Sequence, residues 1–192
     1  VRPRCWHSRV SNGGLMEWQN GPTDGQLSIG RGAGSNALVE ILSGGRIDLG
    51  PFSVEFIPVA HSIPESHALA IHTSAGIVLH TGDWKIDPTP VIGVPTDERR
   101  LRELGDAGVL ALVGDSTNAV REGRSPSETE VAATIKKLVG AAKGRVAVTT
   151  FASNVARLKA VADAAKAAGR EVVVVGRAME RVVQIGAELG ML

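Results

Sequence analysis

Two residues within positions 56–87 have types and positions suited to metal or acid–base chemistry. His61 follows the apolar run FIPVA and precedes a proline turn, and Asp83 follows the short strand pattern GIVLH on a Gly-Asp turn. Ligands of α/β folds commonly bind just past the ends of buried strands. Both residues are therefore candidate site residues, with the alternatives that His61 is structural and that Asp83 only caps its turn.

A second acid occupies the same kind of position. Asp115 follows the apolar run LALVG and is followed by Ser, Thr and Asn. Two acids at strand ends, together with a nearby histidine, supply part of the ligands of a metal site with oxygen and nitrogen donors. The other histidines of the region lie inside alternating strand patterns and are interpreted as structural. They are His67, His72 and His80.

The ligand set is incomplete at the level of sequence motifs. The chain contains no His-x-His, no His-Glu-x-x-His and no cysteine pair, whereas a catalytic zinc needs about three protein ligands. The single cysteine, Cys5, excludes an intrachain disulfide and an all-thiolate zinc site. It favours a reducing, cytoplasmic compartment.

Composition limits the class of protein. The 192 residues are 43% hydrophobic and 21% charged with a formal net charge of +1, which is ordinary for a globular protein with a real core. Because the net charge is so small, no global field favours a nucleic acid or a membrane, although a local basic groove stays open. No apolar run approaches the roughly 20 residues of a membrane-spanning helix.

The first half predicts strands with one helix. GGRIDLG, FSVEFIPVA, HALAIHTS and GIVLHTGD read as neighbouring, antiparallel strands, with Gly76 closing a hairpin. TDERRLRELGDAG reads as a helix with Leu101 and Leu104 on one face, and VLALVGDS as a buried strand. These elements predict an α+β first half whose strand ends carry the candidate residues.

The second half predicts alternating helices and strands. A helix in SPSETEVAATIKKLVGAA begins with Ser125 as N-cap and Glu128 completing a capping box. RVAVTTF and EVVVVG read as strands, and SNVARLKAVADAAKAAG and AMERVVQIGAELG as helices. Apolar strands that alternate with helices favour a parallel sheet covered on both faces, so the fold class is α/β.

Residues 1–43 differ from the rest. They are rich in Gly, Ser and Asn without a sustained period, which predicts an irregular segment. Gly32-x-Gly34-x-x-Ala37 is a loose match to a dinucleotide loop, but neither Asp48 nor Glu55 has the spacing of the required acid. A flexible connector is the favoured interpretation, and a non-catalytic nucleotide-binding module using residues 30–36 is an alternative.

Several long motifs, in order, resemble the ribonuclease J family. They are GGRIDLGPFSVEFIPVAHSIPESHALAI, GIVLHTGDWKIDPTPV, LVGDSTNAVREGRSPSETEV, VTTFASNVARL and VVVVGRAMERVV. Family members are metallo-β-lactamase-fold nucleases of the β-CASP branch. The resemblance implies part of an αββα sandwich over residues 44–120, leading into the start of a doubly wound, parallel β-CASP domain over residues 121–192.

The resemblance also implies a site. It places a centre of two zinc ions with His61 as a terminal ligand and Asp83 as the bridging, catalytic carboxylate. Asp115 matches the first β-CASP motif as a second catalytic acid, which in the family supports a later histidine. Ser153, Asn154 and Arg177 align weakly with segments near the RNA path. The implied partner is RNA rather than a membrane, in a cytoplasmic homodimer or homotetramer.

The chain also departs from the family. The principal motif, His-x-His-x-Asp-His, is absent from residues 1–43, and the later histidine motifs are expected beyond Leu192. We therefore expect an incomplete segment with weak zinc binding and little activity by itself. A metallo-β-lactamase-fold hydrolase of another ester or thioester is an alternative. The arginines considered for RNA contact, with solvated surface arginines as the alternative, are Arg121, Arg124, Arg157 and Arg177.

Overall fold

The computed structural model describes residues 41–192 and four short strands before them. These are β1 (Ser8–Val10), β2 (Met16–Trp18), β3 (Leu27–Ile29) and β4 (Ala37–Val39). They form one sheet in the order β2-β1-β3-β4, with β1 and β3 parallel and the other two pairs antiparallel. The prediction that residues 1–43 are irregular is therefore wrong for these four stretches. Cys5, His7 and the loop 30–36 lie outside the described residues.

A five-stranded sheet carries the candidate residues at its strand ends. Its strands are β5 (Arg46–Leu49), β6 (Phe52–Pro58), β7 (His67–Thr73), β8 (Gly76–His80) and β9 (Ala111–Val113). They lie in the order of the chain, antiparallel from β5 to β8, while β9 pairs parallel to β8. The strands predicted at β5–β8 and their antiparallel pairing are confirmed. The strand predicted in VLALVGDS is present as β9, but its prediction as a buried strand is wrong, because Leu112 and Val113 are 66% and 50% exposed.

The β7–β8 hairpin shows why its turn needs glycine. Thr73 pairs with Gly76, and the Thr73 hydroxyl donates to the Gly76 carbonyl at 2.8 Å. Gly76 has a φ of 139°, and a Cβ there would lie 3.1 Å from the Cβ of Leu110. Both the backbone conformation and the close approach therefore select the residue without a side chain, as predicted from the sequence.

The chain divides into two compact units. Unit 1 comprises the chain up to Pro58 together with His67–Gly82 and Asp97–Gly114, and it contains both sheets. Unit 2 comprises Val59–Ser66, Asp83–Thr96 and Asp115–Leu192. The loops that follow β6 and β8 thus belong to a different unit from the strands themselves.

One helix belongs to unit 1. Helix α1 (Glu98–Ala107) begins where the Asp97 side chain accepts a hydrogen bond from the backbone N–H of Arg100 at 2.9 Å. A side-chain acceptor at this position satisfies one of the backbone donors that every helix start leaves open. The helix buries Leu104, which is 2% exposed, as its apolar spacing predicts.

Three helices form the regular part of unit 2. They are α2 (Glu128–Ala141), α3 (Val155–Ala167) and α4 (Arg177–Glu188). Helix α3 buries Ala156, Ala160 and Ala164, which follow one another at intervals of four residues and so share one face. Small side chains on this face allow α2 and α3 to pack closely.

The start of α2 differs from the prediction. The N-cap is Ser127, whose hydroxyl accepts from the Glu130 backbone N–H at 3.1 Å while the Glu130 carboxylate accepts from the Ser127 N–H at 2.7 Å. The prediction of Ser125 and Glu128 as capping box is wrong by two residues. The sequence SPSETE offers both registers, and the tertiary contacts of Glu128 select the second.

The prediction of two paired strands in the second half is also wrong. Within the described part of the chain, residues 145–151 and 171–176 join no sheet, and Phe151, Val173 and Val175 are more than four-fifths exposed. An apolar, β-branched run has strand propensity, but a strand forms only when a neighbour supplies the hydrogen-bond ladder.

The fold class is nevertheless confirmed as mixed α/β, with a five-stranded sheet and four helices among the described residues. Among the helices that the structure describes, none is both long and apolar enough to cross a membrane.

A buried carboxylate holds α1 on the sheet of unit 1. Glu55 on β6 accepts hydrogen bonds from Arg100 Nε at 2.6 Å and Arg100 Nη2 at 2.8 Å, and from Arg46 Nη2 at 2.8 Å. His72 Nε2 lies 3.5 Å away. The hydrogen bonds from Arg100, with those from Arg46, lower the pKa of Glu55 to about 2 against the effect of burial.

This lowered pKa predicts acid sensitivity of unit 1. Because the folded pKa lies below the unfolded value, ionised Glu55 stabilises the fold above about pH 4.5, and this stabilisation disappears as the pH falls toward about 2. Urea unfolding between pH 7 and pH 2 should show Glu55→Gln losing a pH-dependent free energy on the order of 3 kcal/mol.

Glu98→Gln is the matched control, because its ion pair with Arg102 joins two exposed side chains one helical turn apart and contributes about 0.5 kcal/mol. An unchanged pH slope in Glu55→Gln would contradict the assignment.

Candidate functional site

His61 lies in a segment held by one backbone hydrogen bond and by two hydrogen bonds of the Thr96 side chain. Its neighbour Ala60 forms an antiparallel bridge with Lys85, whose N–H donates to the Ala60 carbonyl at 2.9 Å. The Thr96 hydroxyl accepts from the Ala60 N–H at 2.9 Å and donates to the Lys85 carbonyl at 2.8 Å. The half-buried His61 ring, with Ser62 Oγ 3.4 Å from its Nδ1, therefore projects from a braced segment.

Asp83 lies two residues before Lys85 in the other braced segment. The preceding residue, Gly82, has a φ of 59°, which a residue with a side chain adopts only at a cost. The Asp83 side chain is exposed. A ligand or catalyst on the predicted Gly-Asp turn needs this access. The Ala60–Lys85 bridge places the segments of His61 and Asp83 side by side.

Asp115 follows β9 on an exposed loop. Its Oδ1 accepts hydrogen bonds from the Thr117 hydroxyl at 2.5 Å and from the Thr117 backbone N–H at 2.9 Å. The Thr117 hydroxyl, then the Thr117 N–H and, more weakly, the charge of His61 and the N–H of Trp84 lower the pKa of Asp115. These interactions favour the ionised form of the carboxylate.

The same interactions show which predicted residues the fold brings together. Asp115 interacts with both His61 and the backbone of Trp84, the residue directly after Asp83. Three stretches far apart in the sequence thus meet in unit 2. Within the described part of the chain, no group of three or more His, Cys, Asp or Glu side chains is arranged to hold a metal ion. His61 and Asp83 are the residues with donor types that a metal would use.

The three residues aligned with the RNA path lie at helix starts. The Asn154 side chain accepts from the Arg157 N–H at 2.9 Å and caps α3, and the exposed Ser153 precedes it. Arg177 is exposed at the first position of α4. These three residues lie at the starts of α3 and α4, away in sequence from His61 and Asp115. Their role in RNA binding stays a prediction.

The remaining histidines have structural partners in unit 1. His67 Nε2 lies 3.0 Å from Ser43 Oγ, and the His67 ring packs edge-on against Phe56. His72 lies beside the Glu55 carboxylate, and His80 Nδ1 accepts from the Gly82 N–H at 3.1 Å. These contacts agree with the structural interpretation of all three histidines.

The sequence analysis assigned no site role to a group of buried charges in unit 2. Asp87 is 1% exposed and Glu128 is 7% exposed, and Lys85 Nζ lies 3.0 Å from an oxygen of each. Burial raises the pKa of Asp87. The hydrogen bonds from the Glu128 N–H, Lys85 and the Thr89 N–H outweigh this effect, so the pKa of Asp87 lies below its ordinary value. The alternating charges in DWKID are the sequence feature that could have indicated this group. Spacing along the chain does not distinguish buried charges from solvated ones, however.

One of the arginines considered for RNA contact has another partner. Arg157 Nη2 lies 3.4 Å from the Glu128 carboxylate, whereas Arg121, Arg124 and Arg177 are exposed. Because Arg157 is engaged inside unit 2, the three exposed arginines are better candidates for contact with an external anion.

Comparison with known proteins identifies the sequence class. Residues 143–192 match the family model described as "Ribonuclease J, beta-CASP domain". The chain is 56% identical over 149 residues to ribonuclease J of Sinorhizobium meliloti, covering 78% of this chain and 26% of that protein. It is 50% identical over 155 residues to ribonuclease J of Corynebacterium glutamicum, covering 81% and 22%. The chain thus spans about a quarter of the length of these relatives.

A likeness among solved structures is weaker. The "Crystal Structure of a Protein of Unknown Function from Enterococcus faecalis V583" aligns with a TM-score of 0.49 at 20% identity. The alignment covers 67% of this chain and 31% of that chain.

The hydrogen bonds of Asp115 predict a measurable change in its pKa. Thr117→Val removes the hydroxyl donor, so the pKa of Asp115 should rise toward its ordinary value. Carbon-detected NMR titration of the carboxyl groups would measure this. Thr134→Val is the control, because the Thr134 hydroxyl donates only to a carbonyl of α2. An Asp115 pKa that is unchanged, or that moves equally in both variants, would refute the described geometry.

Proposed function

Most of this chain is a segment of the ribonuclease J family, and we propose that it supplies part of the active site of a metal-dependent ribonuclease. The observation that carries the proposal is the placement of His61, Asp83 and Asp115 in one compact unit, with the Ala60–Lys85 bridge joining the segments of the first two. These are the positions at which the resemblance places catalytic and metal-binding groups. The similarity to ribonucleases J at 50–56% identity over most of the chain supports the same reading.

The metal of this proposal is zinc, two ions in the complete enzyme. The imidazole of His61 and the carboxylate of Asp83 are donors that zinc prefers, and they lie on neighbouring braced segments. Two such ions supply an activated water and a clamp on the attacking and leaving oxygens. The described residues fit in donor type but not in number, so we assign His61 and Asp83 as contributors and derive no step of hydrolysis from this chain.

Asp115 has a different proposed role. Its carboxylate accepts two hydrogen bonds from Thr117, which restrict its orientation, and an ionised carboxylate orients a neighbouring imidazole by accepting its N–H. We propose that Asp115 orients a histidine near the scissile phosphate, as the resemblance implies.

The proposed substrate is RNA, encountered in the cytoplasm. Arg121, Arg124 and Arg177 are exposed cations, and Ser153 and Asn154 provide polar groups at the start of α3. Contacts between arginine and phosphate release counterions, so binding through these residues weakens as salt increases. A hydrolase of a small ester or thioester would not need such a dispersed set of cations.

Zinc binding by the chain itself is expected to be weak and to depend on the two assigned residues. Titration of the metal-free chain against a competing chromophoric chelator should show His61→Ala and Asp83→Ala each weakening the binding about tenfold or more. His72→Ala and Asp106→Ala are the matched controls, because each removes the same side-chain type in unit 1.

Two outcomes of this titration would contradict the proposal. Two tightly held zinc ions per chain, lost in Asp83→Ala, would show that this chain has a complete site. Binding that is insensitive to both His61→Ala and Asp83→Ala would remove them as ligands.

A segment exchange tests the ribonuclease activity directly. In Sinorhizobium meliloti ribonuclease J, the matching 149-residue stretch is replaced by that of this chain. The hybrid should hydrolyse single-stranded RNA, and Asp83→Ala in the hybrid should lower the rate about 100-fold or more. Asp106→Ala serves again as control, and thermal unfolding verifies that each hybrid folds. A folded hybrid that cleaves a thioester but not RNA would favour the alternative hydrolase.

A further inference from the structure

Four charged side chains of unit 2 form one connected group, here called the charge cluster: Lys85, Asp87, Glu128 and Arg157. Asp87 accepts from Lys85 Nζ at 3.0 Å and from the Glu128 backbone N–H at 2.9 Å. Glu128 accepts from Lys85 Nζ at 3.0 Å and lies 3.4 Å from Arg157 Nη2. Two cations and two anions balance, which makes burial of the two carboxylates tolerable.

The charge cluster joins three parts of unit 2 that are distant in sequence. Lys85 and Asp87 lie just after Asp83, Glu128 opens α2, and Arg157 lies in the first turn of α3. Through its own backbone Lys85 is also bonded to Ala60, the neighbour of His61. Lys85 therefore connects the segment of His61, the segment of Asp83 and the start of α2, and Glu128 in turn connects the start of α3 through Arg157.

We propose that Lys85, Asp87 and Glu128 are positioning residues of the candidate site, which keep the Asp83 segment aligned with the His61 segment before any ligand binds. This inference rests on the proposed function, because it takes His61 and Asp83 as the groups to be positioned. None of the three positioning residues is assigned to contact the metal or the substrate.

The physical reason lies in the different surroundings of the two ends of the segment. Asp83 is exposed, and an exposed turn has few contacts to restrict it. Asp87, four residues later, is almost completely buried with three donors. A buried carboxylate that loses a donor is strongly destabilised, so the donors around Asp87 restrict the segment and, with it, Asp83.

The first experiment measures amide hydrogen exchange on the metal-free chain. In Asp87→Asn and Lys85→Met, the amides of Lys85 and Ala60 should lose protection at least tenfold, because the bridge between their segments opens locally. The amide of Leu104 in unit 1 should keep its protection. Lys85→Arg retains the cation and should stay within about threefold of the original chain. If Asp87→Asn does not fold, the milder Glu128→Gln takes its place.

Val139→Ala is the matched control for a general loss of stability. Val139 is buried in α2, eleven positions after Glu128, so its truncation weakens the packing without altering the charge cluster. Selective loss of protection in the cluster variants but not in Val139→Ala supports positioning. Unchanged protection of Lys85 and Ala60, or an equal loss in Val139→Ala, overturns it.

The second experiment separates positioning from simple electrostatics by zinc titration. Lys85→Met removes a positive charge near the proposed ligands, and Asp87→Asn removes a negative one. A role through charge alone would strengthen zinc binding in the first variant and weaken it in the second. Positioning weakens it about 10- to 100-fold in both, as for other residues that orient metal ligands. Opposite shifts overturn the inference.

The two experiments also separate this inference from the proposed function. If the original chain binds no zinc through His61 and Asp83, the assignment of those ligands fails. Hydrogen exchange on the metal-free chain still decides whether the charge cluster aligns the two segments.

Discussion

The burial of the Asp87 carboxylate is the constraint on which unit 2 depends. An ionised group removed from water must receive hydrogen bonds from donors that stay in place. Asp87 receives them from Lys85, from the Thr89 N–H and from the Glu128 N–H. The Glu128 N–H belongs to the first turn of α2, where backbone donors lack partners in the helix and the helix dipole favours an anion. Asp87 thus determines where α2 begins relative to the site segments.

Unit 1 has the same kind of arrangement around Glu55. Its carboxylate joins β5, β6 and α1 through Arg46 and Arg100, residues separated by 54 positions in the chain. In both units a buried acid connects elements that are distant in sequence, with cations whose geometry allows few alternatives. Such groups add specificity to the packing of apolar side chains, because a misplaced partner leaves a buried charge uncompensated.

The residues of the candidate site are more accessible to solvent than the elements that support them. Asp83 and Asp115 are exposed and His61 is half-buried, yet each lies within a few residues of a strand end or a bonded segment. This separation is typical of functional sites, in which reactive groups need access while their supports need rigidity.

Much of the local structure could be predicted from periodicity and turn chemistry. Strands β5–β8, the Gly76 hairpin and all four helices lie where the apolar patterns predict them, because those elements depend on contacts nearby in the chain. The cap of α2 was predicted two residues early. SPSETE contains two serines that can each cap a helix, and the choice of Ser127 depends on Asp87 about 40 residues away. Strands at residues 145–151 and 171–176 were predicted from propensity, which cannot supply a pairing partner.

The sequence by itself determined the mixed α/β class, the positions of most elements, and His61, Asp83 and Asp115 as the residues suited to chemistry. Those conclusions follow from residue types and short-range spacing, aided by family resemblance. Only the tertiary structure decided that His61, Asp83 and Asp115 lie in one unit, that Arg157 is engaged with Glu128, and that Lys85, Asp87 and Glu128 form one connected group. The physical reason is that burial and charge pairing depend on contacts between distant segments, and residue spacing along the chain carries no information about which segments meet.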